Sequence, residues 1–219
     1  MSDIEAASPA TAEKALNHSA ALSGYYRWHA GIYDLTRWAF LFGRHALVRA
    51  VRQERMMPAR ILEIGCGTGK NLVALAESFP KARIMGLDLS REMLEQARAK
   101  VRPYGARVGL LHRRYEAPVA LEQKFDLIVL SYALTMMNPG FEEVLRLCRE
   151  DLSEQGLIAV VDFHHSRWGW FRRWMGLNHV RMEGQVLDGL QRGFTPLVSQ
   201  VRPGYGGLWQ WLLFIGRKG

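Results

Sequence analysis

The chain has 219 residues, 48% of them apolar, which suits one α/β domain with additions and a sizeable core. Its net charge of +8 favours an anionic partner, and its two cysteines are too few for a disulfide framework. The sequence contains no uncharged apolar run long enough to span a membrane, and the acidic N-terminus does not resemble an export signal, so we expect a cytoplasmic protein.

Strand and helix patterns alternate along the chain, as a doubly wound parallel sheet requires. Strands are predicted at about 60–64, 83–88, 107–112, 125–130 and 156–163, with two more near 195–201 and 208–216. Helices are predicted at about 69–79, after an N-cap at Ser90, and over 141–152. Right-handed crossovers then place the loops after strands one, two, four and five at one edge of the sheet, where ligands bind.

A glycine loop follows the first predicted strand. Gly65, Gly67 and Gly69 form a G-x-G-x-G loop that leads into a helix, and Asp88 closes the second strand. Such a loop lets a nucleoside cofactor lie against bare backbone, and an acid at the end of the next strand can bind a ribose.

Two other glycine-rich loops do not fit this segment. The dinucleotide fingerprint would need a third glycine at Lys70, and the P-loop needs four residues between its glycines and a Ser or Thr where Asn71 stands. The remaining interpretation is a pocket for S-adenosylmethionine, which carries no phosphate and needs no anion site at a helix end.

Residues 60–163 resemble the class I S-adenosylmethionine-dependent methyltransferases. The resemblance implies a seven-stranded Rossmann-like sheet, with six parallel strands and one antiparallel strand near an edge. It also implies that Gly65, Gly67, Gly69 and Asp88 bind the cofactor, with Glu63, Thr68 and Asn71 beside them. Further cofactor-site candidates are Tyr33, Arg44, Leu89, Met93, Glu116 and Ser131, among which Glu116 is the choice for the adenine amine.

Three segments outside this common pattern are candidates for recognising the methyl acceptor. Residues 25–44 are rich in aromatic side chains, which either pack in the core or close over the sulfonium of the cofactor. Residues 166–182 alternate Trp and Arg, a combination that suits the headgroup layer of a bilayer, although a buried core helix is the alternative. Residues 203–209 form a glycine turn, which is either hairpin chemistry or part of the acceptor site.

These segments carry more specific resemblances. Tyr26, Tyr33 and Asp34, followed by Phe42-Gly43-Arg44, resemble the start of the bacterial phospholipid N-methyltransferases. The segment from Asp162 to Met182, together with the G-Y-G-G-L-W turn, is similar to the bacterial diacylglyceryl-homoserine N-methyltransferases of betaine lipid synthesis. This resemblance implies three successive methylations of a lipid amine. The alternatives are phosphatidylethanolamine, a soluble amine or quinone-type acceptor, and a cofactor-binding partner without activity.

Methyl transfer to an amine needs positioning and the removal of a proton from the nitrogen. His164 and His165 follow the fifth strand and either face the acceptor or form a structural pair. Arg181 is a candidate clamp for an acceptor carboxylate. The catalytic candidates are Tyr26, Tyr33, His164 and Arg181, and the substrate-binding candidates are His165, His179, Arg181 and Tyr205.

The expected organisation is a mobile tail over residues 1–24, a helical, membrane-facing lid over 25–58 and the methyltransferase domain over 59–219, with an amphipathic insertion after the fifth strand. The partner expected is a lipid substrate at an anionic membrane surface, on the inner face of the membrane. Nucleic acid is disfavoured because the arginines alternate with aromatic residues instead of forming a plain basic run. We predict no metal site, and the oligomeric state stays open.

Overall fold

A computed structural model describes residues 43–54, 56–120, 123–137, 140–177 and 180–219. The chain divides into two units, Met1–Leu41 and Phe42–Gly219. The described residues all belong to the second unit, and the candidates Tyr26, Tyr33 and His179 lie outside them.

The second unit is built on a seven-stranded sheet with the order β3-β2-β1-β4-β5-β7-β6. β7 runs antiparallel to both of its neighbours, and the other pairings are parallel. This confirms the predicted doubly wound sheet with one antiparallel strand next to an edge. The strands are β1 (Arg60–Ile64), β2 (Arg83–Asp88), β3 (Val108–His112), β4 (Phe125–Ser131), β5 (Leu152–His165), β6 (Thr195–Gly204) and β7 (Trp209–Arg217).

The described helices connect and flank these strands. They are α1 (Arg44–Gln53), α2 (Lys70–Ser78), α3 (Arg91–Val101), α4 (Phe141–Asp151), α5 (Gly169–Leu177) and α6 (Gln185–Gly193). The predicted cap is confirmed at Ser90, whose hydroxyl accepts a hydrogen bond from the Met93 N–H. Helix α6 was not predicted, because it begins after Gly184 without any capping side chain that would mark its start.

The core lies at the central strands, where both faces are covered. β1, β4 and β5 are buried almost throughout, so they are continuous apolar runs instead of alternating ones. β5 begins at Leu152, four residues before the predicted start, because the polar residues 153–155 interrupt the apolar pattern that marks the rest of the strand.

The sheet order brings the functional segments to one edge. β1, β2, β4 and β5 are parallel neighbours, so their carboxyl ends, with the glycine loop, Asp88, Ser131 and His165, meet there. β6 runs parallel to β5, and its connection to β7 therefore reaches the same edge. The insertion that contains α5 also leaves β5 at this edge, beside the predicted ligand site.

Candidate active site

The loop after β1 presents bare backbone. Gly65, Gly67 and Gly69 have φ angles of 71°, 53° and 76°, in the left-handed region that glycine adopts most readily. Apart from its two chain neighbours, no described residue would lie within 4 Å of a Cβ atom at Gly67, so the middle of the loop faces open space. A Cβ atom at Gly69 would lie 2.9 Å from the Cβ of Ala97, so the third glycine lets α2 begin close against α3.

The carboxylate of Asp88 connects the glycine loop to β2. Its Oδ2 accepts a hydrogen bond from the Gly67 N–H at 2.8 Å, and its Oδ1 accepts one from the Ser90 N–H at 2.9 Å. Each oxygen keeps acceptor capacity, which matches the two neighbouring hydroxyls of a ribose. Asp88 therefore both shapes the loop and offers the acceptors that a nucleoside needs.

Glu63 is a buried carboxyl group at the centre of the site. Its Oε1 accepts a hydrogen bond from Nδ2 of Asn71 at 2.9 Å, and its Oε2 has no hydrogen-bond partner among the described residues. Burial raises the pKa of Glu63 to about 8, although the Asn71 bond and the charge of Arg44 act in the opposite direction. A buried acceptor without a donor is costly, and the ammonium group of an amino-acid moiety is a donor that would satisfy it.

Arg44 and Ser131 extend the site towards β4. The Nε of Arg44, at the start of α1, donates a hydrogen bond to Oγ of Ser131 at 3.3 Å. Tyr132 follows with a φ of 55°, a left-handed conformation that is uncommon for a residue with a side chain. Three residues that were predicted separately, Arg44, Glu63 and Ser131, thus lie in one neighbourhood, and Tyr132 is an addition to it.

The remaining cofactor candidates surround the loop less closely. Leu89 directly follows Asp88 and is 66% exposed, so it offers an apolar surface beside the ribose acceptors. Met93 contributes its N–H to the Ser90 cap, and the carbonyl of Thr68 accepts a hydrogen bond from Lys100. Glu116 is exposed and forms an ion pair with Arg114 at 3.2 Å, and no described contact joins it to the glycine loop.

Cys66, inside the loop, is a free and buried cysteine that packs in the core. Burial is the main cause that raises the pKa of its thiol above the ordinary value, and the nearby carboxylates of Glu63 and Asp88 add to the shift. A neutral thiol is a poor nucleophile. Within the described part of the chain, no cluster of His, Cys, Asp and Glu side chains has the arrangement of a metal site.

The two histidines at the end of β5 have different surroundings. The ring of His164 lies against Gly184, where an added Cβ would be 3.4 Å from its Cε1, and its buried Nδ1 has no partner among the residues described. Burial, helped by the charge of His165, lowers the pKa of His164, so the ring is neutral at neutral pH. The backbone of His165 forms a bridge with that of Glu183.

A buried carboxylate that the sequence analysis missed fixes the turn after β4. Asp162, fully buried in β5, accepts hydrogen bonds from the N–H groups of Leu134 and Thr135 and from the Thr135 hydroxyl. The carbonyl of Thr135 in turn accepts the N–H of Arg181 at 3.3 Å. Asp162 is thus joined through Thr135 to the backbone of Arg181. The sequence pattern that could have revealed this residue is an acidic residue inside an apolar strand.

The glycine turn between β6 and β7 lies against the start of the insertion. Oγ of Ser166 donates a hydrogen bond to the carbonyl of Leu208 at 2.7 Å. Tyr205 in this turn is 53% exposed and has a φ of 45°. The second and third acceptor segments are therefore in direct contact, at the same edge of the sheet as the glycine loop.

The fold and this site define a nucleoside-binding α/β protein, and comparisons narrow the class. Residues 61–156 match the profile of a family described as a methyltransferase domain. A ubiquinone/menaquinone biosynthesis C-methyltransferase, UbiE, of Syntrophotalea carbinolica is 31% identical over 184 residues, which cover 80% of this chain and 76% of the relative. A malonyl-[acyl-carrier protein] O-methyltransferase of Priestia megaterium is 37% identical over 138 residues, which cover 60% of this chain but only 49% of the relative.

A solved structure shows the same fold. The 1,6-didemethyltoxoflavin-N1-methyltransferase of Burkholderia thailandensis was crystallised with bound 1,6-didemethyltoxoflavin and S-adenosylhomocysteine. It superposes with a TM-score of 0.69 at 20% identity, and the match covers 99% of this chain and 93% of that one. The chain therefore belongs to the class I S-adenosylmethionine-dependent methyltransferases. The open backbone at Gly67, the paired acceptors of Asp88 and the unsatisfied Oε2 of Glu63 fit S-adenosylmethionine, which is its cofactor.

Proposed function

We propose that the protein is an N-methyltransferase that acts on the headgroup amine of a membrane lipid, diacylglyceryl-homoserine, and methylates it three times. The observation that carries this proposal is the insertion after β5. It leaves the sheet at the cofactor edge and exposes Trp170, Trp174 and Leu177 together with Arg172 and Arg173. A soluble acceptor would not require such a surface beside the cofactor site.

Arg181 supports a carboxylate-bearing headgroup. Its backbone is held by Thr135, and its side chain is exposed and has no acidic partner among the residues that the structure describes. A guanidinium binds a carboxylate through two parallel hydrogen bonds. The homoserine headgroup has a free carboxylate near its amine, and phosphatidylethanolamine has none.

The chemistry requires a neutral amine beside an activated methyl group. When bound, S-adenosylmethionine supplies that methyl group on a sulfonium. In the proposed transfer the lone pair of the amine would form the new N–C bond as the C–S bond breaks, and the electrons of that bond would stay on sulfur. The protein contributes alignment through the Gly67 loop, Asp88 and Arg181, which is the larger part of such catalysis.

His164 is the proposed acceptor of the proton that the amine must lose before each transfer. Its ring is neutral at neutral pH, since burial lowers its pKa, and its Nδ1 has no described partner. His165 and Tyr205 are the other acceptor-site candidates among the described residues, whereas Tyr26, Tyr33 and His179 stay predictions from the sequence. An aromatic lining suits a headgroup that ends as a trimethylated cation.

The proposed setting is the inner face of an anionic membrane, to which the enzyme binds peripherally. The net charge of +8 favours anionic lipid, and nucleic acid is not the proposed partner. Among the described helices, none has both the length and the apolar character needed to cross a bilayer.

A second candidate is C-methylation of a quinone-type acceptor. It is favoured by the relative of ubiquinone and menaquinone biosynthesis, which matches over most of its own length. It would need no carboxylate clamp, so an Arg181→Ala variant should leave quinone methylation largely unchanged.

The test is incubation of the purified chain with labelled S-adenosylmethionine and vesicles that contain diacylglyceryl-homoserine, phosphatidylethanolamine or a demethylated quinone. Mass spectrometry should find mono-, di- and trimethylated homoserine lipid. Methylated phosphatidylethanolamine alone would reassign the headgroup, and a methylated quinone alone would establish the second candidate. A chain that binds the cofactor but labels none of the three would contradict the proposal.

A further inference from the structure

Helix α5 has apolar side chains on two sides. Phe171 and Met175 are 2% and 5% exposed and pack into the protein. Trp170, Trp174 and Leu177, at positions i, i+4 and i+7, are 63%, 41% and 73% exposed. The second set forms a stripe along one face of the helix, because residues at this spacing lie above one another. An apolar stripe of this kind on a surface marks an interaction site.

The surroundings of this stripe are strongly basic. From Phe163 to Met182 the sequence contains no Asp or Glu, whereas it contains Arg167, Arg172, Arg173 and Arg181. The guanidinium of Arg167 lies 5.1 Å from the ring centre of Trp168, which is itself 43% exposed. The partner of this surface must therefore tolerate inserted indole rings and supply negative charge.

We infer that the exposed face of α5 docks onto an anionic lipid bilayer. Trp170, Trp174 and Leu177 enter the boundary between headgroups and acyl chains, where indole rings are favoured, and the arginines contact anionic headgroups. The inference rests on the proposed function, because it supplies the route by which a lipid acceptor reaches the site. A single helix of nine residues gives a reversible attachment, which suits an enzyme that must leave one lipid for the next.

The docking face has a fixed position relative to the catalytic edge. The segment before α5 is joined to the β6–β7 turn by the hydrogen bond from Ser166 to Leu208. The segment after it is joined to the turn following β4 by the hydrogen bond from Arg181 to Thr135. A bilayer that contacts α5 would therefore present its headgroups to the edge that carries the glycine loop.

Vesicle sedimentation of the full chain tests this docking. We expect binding to vesicles of phosphatidylcholine with phosphatidylglycerol, little binding to phosphatidylcholine alone, and weaker binding as salt rises. The double variant Trp170→Ala, Leu177→Ala should bind the anionic vesicles about tenfold or more weakly, because it lacks two apolar side chains that would enter the bilayer. The matched control is Leu197→Ala, Val201→Ala, two apolar residues on β6 that are each 39% exposed, and it should bind as the unchanged chain does.

Three results would overturn the inference. Equal binding to neutral and anionic vesicles, or equal binding by the α5 variant, would exclude this face as the membrane contact. A self-association that the α5 variant abolishes, measured by sedimentation velocity, would instead assign the face to a second copy of the chain.

A soluble acceptor separates this inference from the proposed function. The α5 variant should methylate glyceryl-homoserine without acyl chains at the normal rate but lose activity on the vesicle-borne lipid. If the unchanged chain methylates the soluble headgroup but binds no vesicle, docking fails and the proposed function stands. If it binds anionic vesicles through α5 but methylates neither acceptor, the proposed function fails and the docking surface stands.

Discussion

The two halves of the sheet differ in how they make their site. Between β1 and β3 the site is mostly backbone, since a glycine loop, two N–H groups and one carboxylate define it. Between β4 and β7 it depends on contacts between distant segments, which join Arg44 to Ser131, Asp162 to Thr135, and the N–H of Arg181 to the carbonyl of Thr135. The methyltransferase profile covers residues 61–156 and ends before the insertion. We call the β1–β3 side the cofactor half and the β4–β7 side, which carries the proposed acceptor segments, the acceptor half.

The largest effect is expected from Asp88→Ala, which should weaken S-adenosylmethionine binding by about 3 kcal/mol. Two hydrogen bonds from ribose to a charged acceptor are lost, each worth roughly 1.5–3 kcal/mol, and the loop loses its tie to β2. Isothermal calorimetry measures the affinity. The matched control is Asp126→Ala, because Asp126 also accepts two backbone N–H groups, at 2.8 and 3.0 Å, but lies at the opposite end of its strand. Unchanged affinity in Asp88→Ala would remove the cofactor site from this half.

Arg181→Ala should change acceptor choice and leave cofactor binding alone. We expect kcat/KM for diacylglyceryl-homoserine to fall by a factor equivalent to about 2 kcal/mol, which is the scale of a hydrogen bond between charged groups. The fall in kcat/KM for phosphatidylethanolamine should be smaller. The comparison needs rates on both lipids and a cofactor titration. Arg202→Ala, in which the arginine is hydrogen-bonded to Gln200 on β6, is the charge-matched control. An equal loss on both lipids would show that Arg181 does not recognise the carboxylate.

Glu63→Gln should remove a pH dependence of stability. Burial raises the pKa of Glu63 to about 8 in the folded state, well above its value in the unfolded state. Between these two pKa values the folded state holds a proton that the unfolded state has lost, so stability falls as pH rises and levels off above about pH 8. From about pH 6.5 to about pH 9 the loss is about 2 kcal/mol. Denaturant unfolding without cofactor should show this slope in the unchanged chain and in Glu77→Gln, an exposed control, but not in Glu63→Gln.

The cofactor sharpens the same prediction. A bound ammonium favours the ionised carboxylate, so S-adenosylmethionine binding at neutral pH should release a proton from Glu63. Calorimetry in buffers of different ionisation enthalpy measures this release. If Glu63→Gln releases as many protons as the unchanged chain, Glu63 does not face the cofactor.

The smallest effect is expected from Thr135→Val, which removes one hydroxyl donor to the buried Asp162. We expect the acceptor KM to rise by a factor equivalent to about 1 kcal/mol, because the turn that holds the Arg181 backbone is loosened. Cofactor affinity should not change. Thr135→Ser keeps the hydroxyl and should restore the KM. If cofactor affinity weakens in parallel with the rise in acceptor KM, the division between the halves would be wrong at this position.

Most of the cofactor half was predictable from sequence because its signals are local. The strand bounds there agree to within one residue, and the loop glycines and Ser90 stand next to the elements that they shape. The acceptor half was predictable only as a list of residues. The contact between Asp162 and Thr135 joins positions 27 apart, and that between Arg44 and Ser131 joins positions 87 apart. Neither contact leaves a pattern in the intervening sequence, so their partners could not be assigned.

Edge strand β6 carries a consequence for solubility. It is the last strand of the sheet, and nine of its ten residues lie outside the core, which would normally invite another strand to pair with it. Pro196 and Pro203 have no N–H to offer, and the irregular register between Pro196 and Val198 distorts the edge. Such an edge is a poor template for chain-to-chain pairing. The sheet is thus protected from growth by strand addition between copies of the chain.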